Sequence, residues 1–106
     1  MVGNIIELNQ GNFNDKTSKG EWVIDFWAEW CGPCKMLNPV FSAASEELKG
    51  KVNFAKVDID SETDLAQMYD IMSIPHILFI KDGEVVDRSV GLISKDTLMN
   101  SVKRAF

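Results

Sequence analysis

The chain holds two cysteines, Cys31 and Cys34, set in Trp30-Cys31-Gly32-Pro33-Cys34-Lys35. A pair at this spacing has four chemistries open to it: metal ligation, a structural cross-link, inert packing, or thiol–disulfide exchange. Structural zinc takes four Cys or His ligands. The chain offers two cysteines and one histidine, His76, so a metal site would need a second copy of the chain. A cross-link that closes so short a loop restrains the unfolded chain very little. Two buried apolar thiols are an option for any pair of cysteines, yet Gly-Pro at a helix start argues against plain packing. Exchange chemistry uses every part of the motif.

The exchange reading runs as follows. A helix that begins within the motif puts Cys31 at its N-terminus, where free N–H groups and the positive end of the dipole favour a thiolate. Pro33 suits the first turn because it has no N–H to leave unpaired. Gly32 is expected to let the backbone turn tightly and to leave room for a substrate. Cys34 then lies one turn inward, shielded from large substrates, and Lys35 adds positive charge. Thiolate Cys31 would attack a substrate disulfide, and Cys34 would resolve the mixed disulfide. Cys34 must lose a proton at that step. Asp25, inside the apolar run Trp22–Trp27, is the candidate acceptor, because burial raises a carboxyl pKa. The competing reading has Asp25 facing solvent on an alternating strand, but Val23 and Trp27 share its parity and are apolar. Lys56, on the expected neighbouring strand, would pair with Asp25 and limit the shift; otherwise it is a solvated strand lysine.

These residues need elements to hold them. Trp22–Trp27 reads as a strand covered on both faces, Val52–Ile59 as a second, alternating strand, and Ile5–Leu8 as an edge strand. Ile77–Ile80 and Val85–Val90 flank Asp82-Gly83 and read as a β-hairpin. Leu37, Val40, Phe41, Ala44 and Leu48 share one face of a helix between Cys34 and Lys49. Pro39 is expected to kink that helix, and Gly50 to stop it. Thr63–Tyr69 is a short helix with Leu65, Met68 and Tyr69 turned inward, and Asn9–Ser18 holds another around Phe13. Ser94 caps a last helix carrying Leu98, Val102 and Phe106. Strands joined through helices pair in parallel, whereas the hairpin is antiparallel. The expected fold is α/β: a mixed sheet with helices on both faces and its crevice beyond the carboxyl end of Val23–Trp27.

Composition narrows the partners. At 106 residues, 45% hydrophobic and 25% charged, the chain is expected to be one domain, 1–106, large enough to fold without metal or disulfide staples. A net charge of −5 argues against nucleic acid and anionic membranes, which are bound through Lys/Arg clusters. Neither the apolar stretch around Trp22–Trp30 nor that around Ile71–Ile80 approaches the ~20 residues that span a bilayer. Met1–Gln10 lacks the charge and apolar run of a secretory signal, so the reducing cytoplasm is the expected compartment. Nothing requires more than a monomer.

Taken together, Val23–Lys35, Lys56–Asp60, Ile74-Pro75, Lys81–Glu84 and Val90-Gly91 resemble the thioredoxin family, over essentially Ile5 to Ala105. The resemblance implies the thioredoxin fold, with a central mixed five-stranded sheet flanked by four helices. It implies a cis Ile74–Pro75 peptide beside the active site, where substrate backbone adds as a strand. The implied docking surface comprises Trp30, Gly32, Pro33, Ile59, Ile74, Pro75, Val90, Gly91 and Leu92. For Ile59 and Val90 core packing is the competing reading. Trp22 and Trp27 read as packing, and Trp30 as a crevice cover. The sequence departs from the family pattern at Met72-Ser73, at Asp70, where glycine is common, and at His76, where threonine is usual. His76 reads as a half-exposed strand residue, or else as a residue that tunes recognition or pH response beside Cys31.

The function expected is reduction of protein disulfides, with no bound cofactor. The chain has no G-x-G-x-x-G, and the resemblance implies that a separate thioredoxin reductase supplies the electrons. The alternative is a binding module that holds a partner in the same crevice without turnover. An oxidase or isomerase on this fold is a third reading, although Gly-Pro between the cysteines resembles the reducing members.

Overall fold

The computed structural model describes residues 4–106, so residues 1–3 of the expected domain lie outside it. Five strands and four helices follow one another as β1 (Ile5–Glu7), α1 (Phe13–Thr17), β2 (Glu21–Trp27), α2 (Gly32–Glu47), β3 (Asn53–Asp58), α3 (Thr63–Met68), β4 (His76–Lys81), β5 (Glu84–Val90) and α4 (Lys95–Ala105). The strands form one sheet in the order β1-β3-β2-β4-β5. β3 runs parallel to both β1 and β2. β4 lies antiparallel to β2, and β5 antiparallel to β4.

The central position of β2 explains its composition. It has neighbours on both edges and helices on both faces, so Trp22 to Phe26 are all buried and alternation disappears. Val23 packs with Leu37 and Phe41 of α2 and with Leu98 and Val102 of α4. Ile24 and Phe26 point the other way, toward Phe13 of α1 and Leu65 of α3. Asp25 has the parity of Val23 and so faces the α2 side.

Turn chemistry sets the ends of the elements. Asp82 and Gly83 both have positive φ, 49° and 86°, as a two-residue hairpin turn requires. The Ser94 hydroxyl accepts the Thr97 N–H at 3.1 Å and caps α4. α2 is one continuous helix through Pro39. It ends just before Gly50, whose φ is +83°.

Three expectations need correction. Met68 is 61% exposed rather than turned inward; Leu65 and Tyr69 alone hold α3 to the core. With only six residues, α3 has room for one inward stripe. His76 is 3% exposed rather than half-exposed. It pairs with Phe26 on one side and Val90 on the other, and Arg88 reaches its Nε2 at 3.3 Å. Gly32 has no positive φ, since it is already the first residue of α2. A Cβ there would meet nothing within 4 Å, so what glycine provides is clearance and not a turn.

Candidate active site

β2 ends at Trp27 and the chain reaches α2 within four residues. The Ile59 N–H donates to the Trp27 carbonyl at 3.0 Å, which carries the β2–β3 ladder to the edge of the site. The Cys31 N–H donates to the Ala28 carbonyl at 3.2 Å and closes the connecting turn. Cys31 is therefore the N-cap of α2, and its Sγ accepts the Cys34 N–H at 3.2 Å. No acidic residue stands in the first turn of α2, so nothing there opposes the favourable field for a thiolate. The structure holds Cys31 and Cys34 as a disulfide, with Cα atoms 5.3 Å apart. Cys31 is 5% exposed and Cys34 only 1%.

The cysteines pack on Ala28, with Trp27, Ile59 and Ile74 around them. The Ile74–Pro75 peptide is cis, and the Ile74 carbonyl oxygen lies 3.9 Å from Cys31 Sγ. Pro75 directs its own carbonyl to the Gly91 N–H at 2.8 Å, which brings the β5–α4 loop beside the site. Among the described residues, Ile74 has no backbone partner for its N–H or C=O. Trp30 is 68% exposed and its Nε1 donates to Asp60 Oδ2 at 3.0 Å. Val90 and Leu92 are exposed, Gly32 and Pro33 are exposed on the first turn of α2, and Met72 is 91% exposed. Val90 is thus not a core residue. Ile59 is partly buried and packs against both the α3-side core and the cysteine cluster.

Asp25 is buried, and burial pushes its carboxyl up to about 7, against a smaller lowering by Lys56. Lys56 stands opposite Asp25 in the β2–β3 register, with Nζ 4.0 Å from Oδ2. Among the described residues neither Asp25 oxygen has a hydrogen-bond partner. The same ammonium lies over the Trp27 ring, 4.9 Å from its centroid, and bonds to Asn38 Oδ1. His76 is held below its ordinary value by burial and by Arg88, against a smaller raising by the Ser73 backbone as acceptor. Its imidazole lies on the α3 face, across the sheet from Asp25.

Sequence reasoning gave no role to Asn38, Asp60 or Arg88. Asp60 is thirty residues from Trp30, and Arg88 is reached by His76 only through the hairpin register. No spacing rule joins either pair. The described residues contain no cluster of three or more His, Cys, Asp or Glu suited to a metal. Nor do they contain a helix long and apolar enough to cross a membrane.

A redox-capable cysteine pair at a helix N-cap, beyond the carboxyl end of the central strand, defines a thiol–disulfide oxidoreductase on a thioredoxin fold. The thioredoxin family model matches residues 4–104. The thioredoxin of Bacillus subtilis is 42% identical over 100 residues, 94% of this chain and 96% of the relative. That of Chlamydia trachomatis is 48% identical over 97 residues, 92% and 94% of the two chains. The chain belongs to the thioredoxin family, and it reduces protein disulfides by dithiol exchange.

Proposed function

We propose that Cys31 is the nucleophile and Cys34 the resolving thiol. Thiolate Cys31 attacks one sulfur of a protein disulfide, a new S–S bond forms, and the other substrate sulfur leaves as a thiolate that takes up a proton. Cys34 then gives up its proton and attacks Cys31 Sγ. The second substrate sulfur leaves reduced, and the Cys31–Cys34 disulfide remains. Two electrons pass from the chain to the substrate. The observation that carries this assignment is the N-cap geometry: Cys31 Sγ accepts the Cys34 N–H, an interaction stronger for a thiolate than for a thiol. The deeper burial of Cys34 fits the later, intramolecular attack.

Asp25 takes the Cys34 proton, and Lys56 modulates its affinity for it. Both lie on the side of the sheet that α2 covers, and a carboxyl near 7 is poised to exchange protons at neutral pH. Substrate docks across Trp30, Gly32, Pro33, Ile59, Ile74, Pro75, Val90, Gly91 and Leu92, and pairs its backbone with Ile74 as an added strand. A separate thioredoxin reductase recycles the dithiol, which makes the chain an electron carrier. The chain acts as a single-domain monomer over 1–106 in the cytoplasm, where a dithiol pool keeps such a pair reduced. Neither nucleic acid nor membrane is a partner.

The test is reduction of a protein disulfide under limiting dithiothreitol by the native chain, Cys31→Ser and Cys34→Ser. Turnover by the native chain alone is expected. Equal behaviour of all three would put the binding-module reading in its place.

A further inference from the structure

Lys56 is shared between two acceptors of different kinds. Its Nζ bonds to Asn38 Oδ1 but stands 4.0 Å from Asp25 Oδ2, beyond hydrogen-bond reach, and both Asp25 oxygens are left without a partner. A buried carboxylate is the stronger acceptor for an ammonium. The observed choice of the neutral amide therefore needs a cause, and the fold supplies one. Asn38 lies one turn beyond Cys34 on α2, at the mouth of a cleft of about 380 Å³ between α2 and the β1–β3 edge. Trp27, Ser42, Lys56 and Glu7 also line that cleft. The lysine ammonium lies over the Trp27 ring, and Asn38 holds it at the cleft.

We propose that Asn38 is a positioning residue: its side-chain oxygen anchors the Lys56 ammonium away from Asp25, so that Asp25 keeps a proton a closer cation would expel. The inference rests on the reading of Asp25 as the proton acceptor for Cys34, and it adds the group that sets the acceptor's strength. The groups around Asp25 are few. β3 contributes Lys56 and β4 the apolar Ile77, and the core on that face of the sheet holds Leu37 of α2 with Leu98 and Val102 of α4. Glu7, paired with Lys56 on β1, is the one other charged residue lining the cleft among the described residues. Lys56 is thus the cation whose position matters.

Direct titration of the Asp25 carboxyl by carbon NMR tests this in the native chain, Asn38→Ala, Lys56→Met and the double variant. Without Asn38 the ammonium closes on Asp25, and the midpoint falls by about half a unit to one unit. In the Lys56→Met background the same Asn38 substitution moves nothing, because the cation it positions is gone. An unchanged or raised midpoint in Asn38→Ala, or an equal shift in both backgrounds, overturns the proposal. The titration is independent of turnover. Failure of the Asp25 reading shows separately, as a resolving step that ignores Asp25→Asn.

Discussion

At the scale of single residues, a sulfur and a carboxyl acquire their properties from position. Cys31 and Cys34 were legible at once, because few chemistries fit Trp-Cys-Gly-Pro-Cys at a strand-to-helix junction. Asp25 was legible in part: apolar Val23 and Trp27 at i±2 favour burial over a solvent-facing carboxylate, and the structure decides between the two. His76 was not, because strand parity does not reveal which strand edge is covered, and Arg88 arrives from another strand. Two predictions belong here. If Asp25 takes the Cys34 proton, the resolving rate rises with pH through about 7. In Asp25→Asn that inflection is gone and the rate at neutral pH drops roughly 10- to 100-fold, a modest general-base effect because a thiol also yields its proton to water. Single-turnover kinetics read both, and a retained inflection would contradict the assignment. His76, held below its ordinary value, is neutral during turnover, so His76→Thr keeps the native rate–pH profile. Its mark is on stability instead. A group with a depressed folded pKa contributes stability that is full above its unfolded value and is lost as pH falls below it. Below about 6.5 the native chain should lose stability more steeply than His76→Thr in urea titrations; parallel slopes would refute the burial of a neutral imidazole.

At the scale of elements, the order β-α-β-α-β-α, hairpin, α is readable because each segment carries its own period and its own punctuation. Asp82-Gly83 fixes the hairpin, and Ser94 fixes the start of α4. Asp70, a departure from the family's usual glycine, has φ +57°. The chain needs a left-handed residue after α3, and Asp is among the few non-glycine residues that tolerate it. What local pattern does not contain is the strand order, since β3 inserts between β1 and β2 through contacts far apart in sequence. That order brings Lys56 beside Asp25. The Ser94 cap offers a direct check at this scale. Ser94→Ala leaves the Thr97 N–H without its acceptor and should cost about 1 kcal/mol in denaturant unfolding, with turnover intact. No loss of stability would mean the cap is replaced by water at no cost.

At the scale of the whole molecule, stability and chemistry oppose each other at Asp25. The folded chain binds a proton there up to about pH 7, whereas the unfolded chain releases it near 3.8. Burial of Asp25 therefore subtracts stability progressively as pH climbs from about 4 through 7. Asp25→Asn should be more stable than the native chain at pH 8, by up to about 4 kcal/mol, while the two converge in acid. Equal stability at pH 8 would mean that the carboxylate is solvated after all. The fold tolerates this loss because two apolar layers, one on each face of the sheet, hold the strand that carries the carboxyl. The central claim is that Cys31 attacks and Cys34 resolves, and the most direct measurement traps the step between them. Cys34→Ser, mixed with a disulfide-containing protein and mapped by mass spectrometry, should yield a mixed disulfide through Cys31, while Cys31→Ser yields none. A covalent adduct through Cys34 in the Cys31→Ser chain, or no adduct in either, would contradict the account.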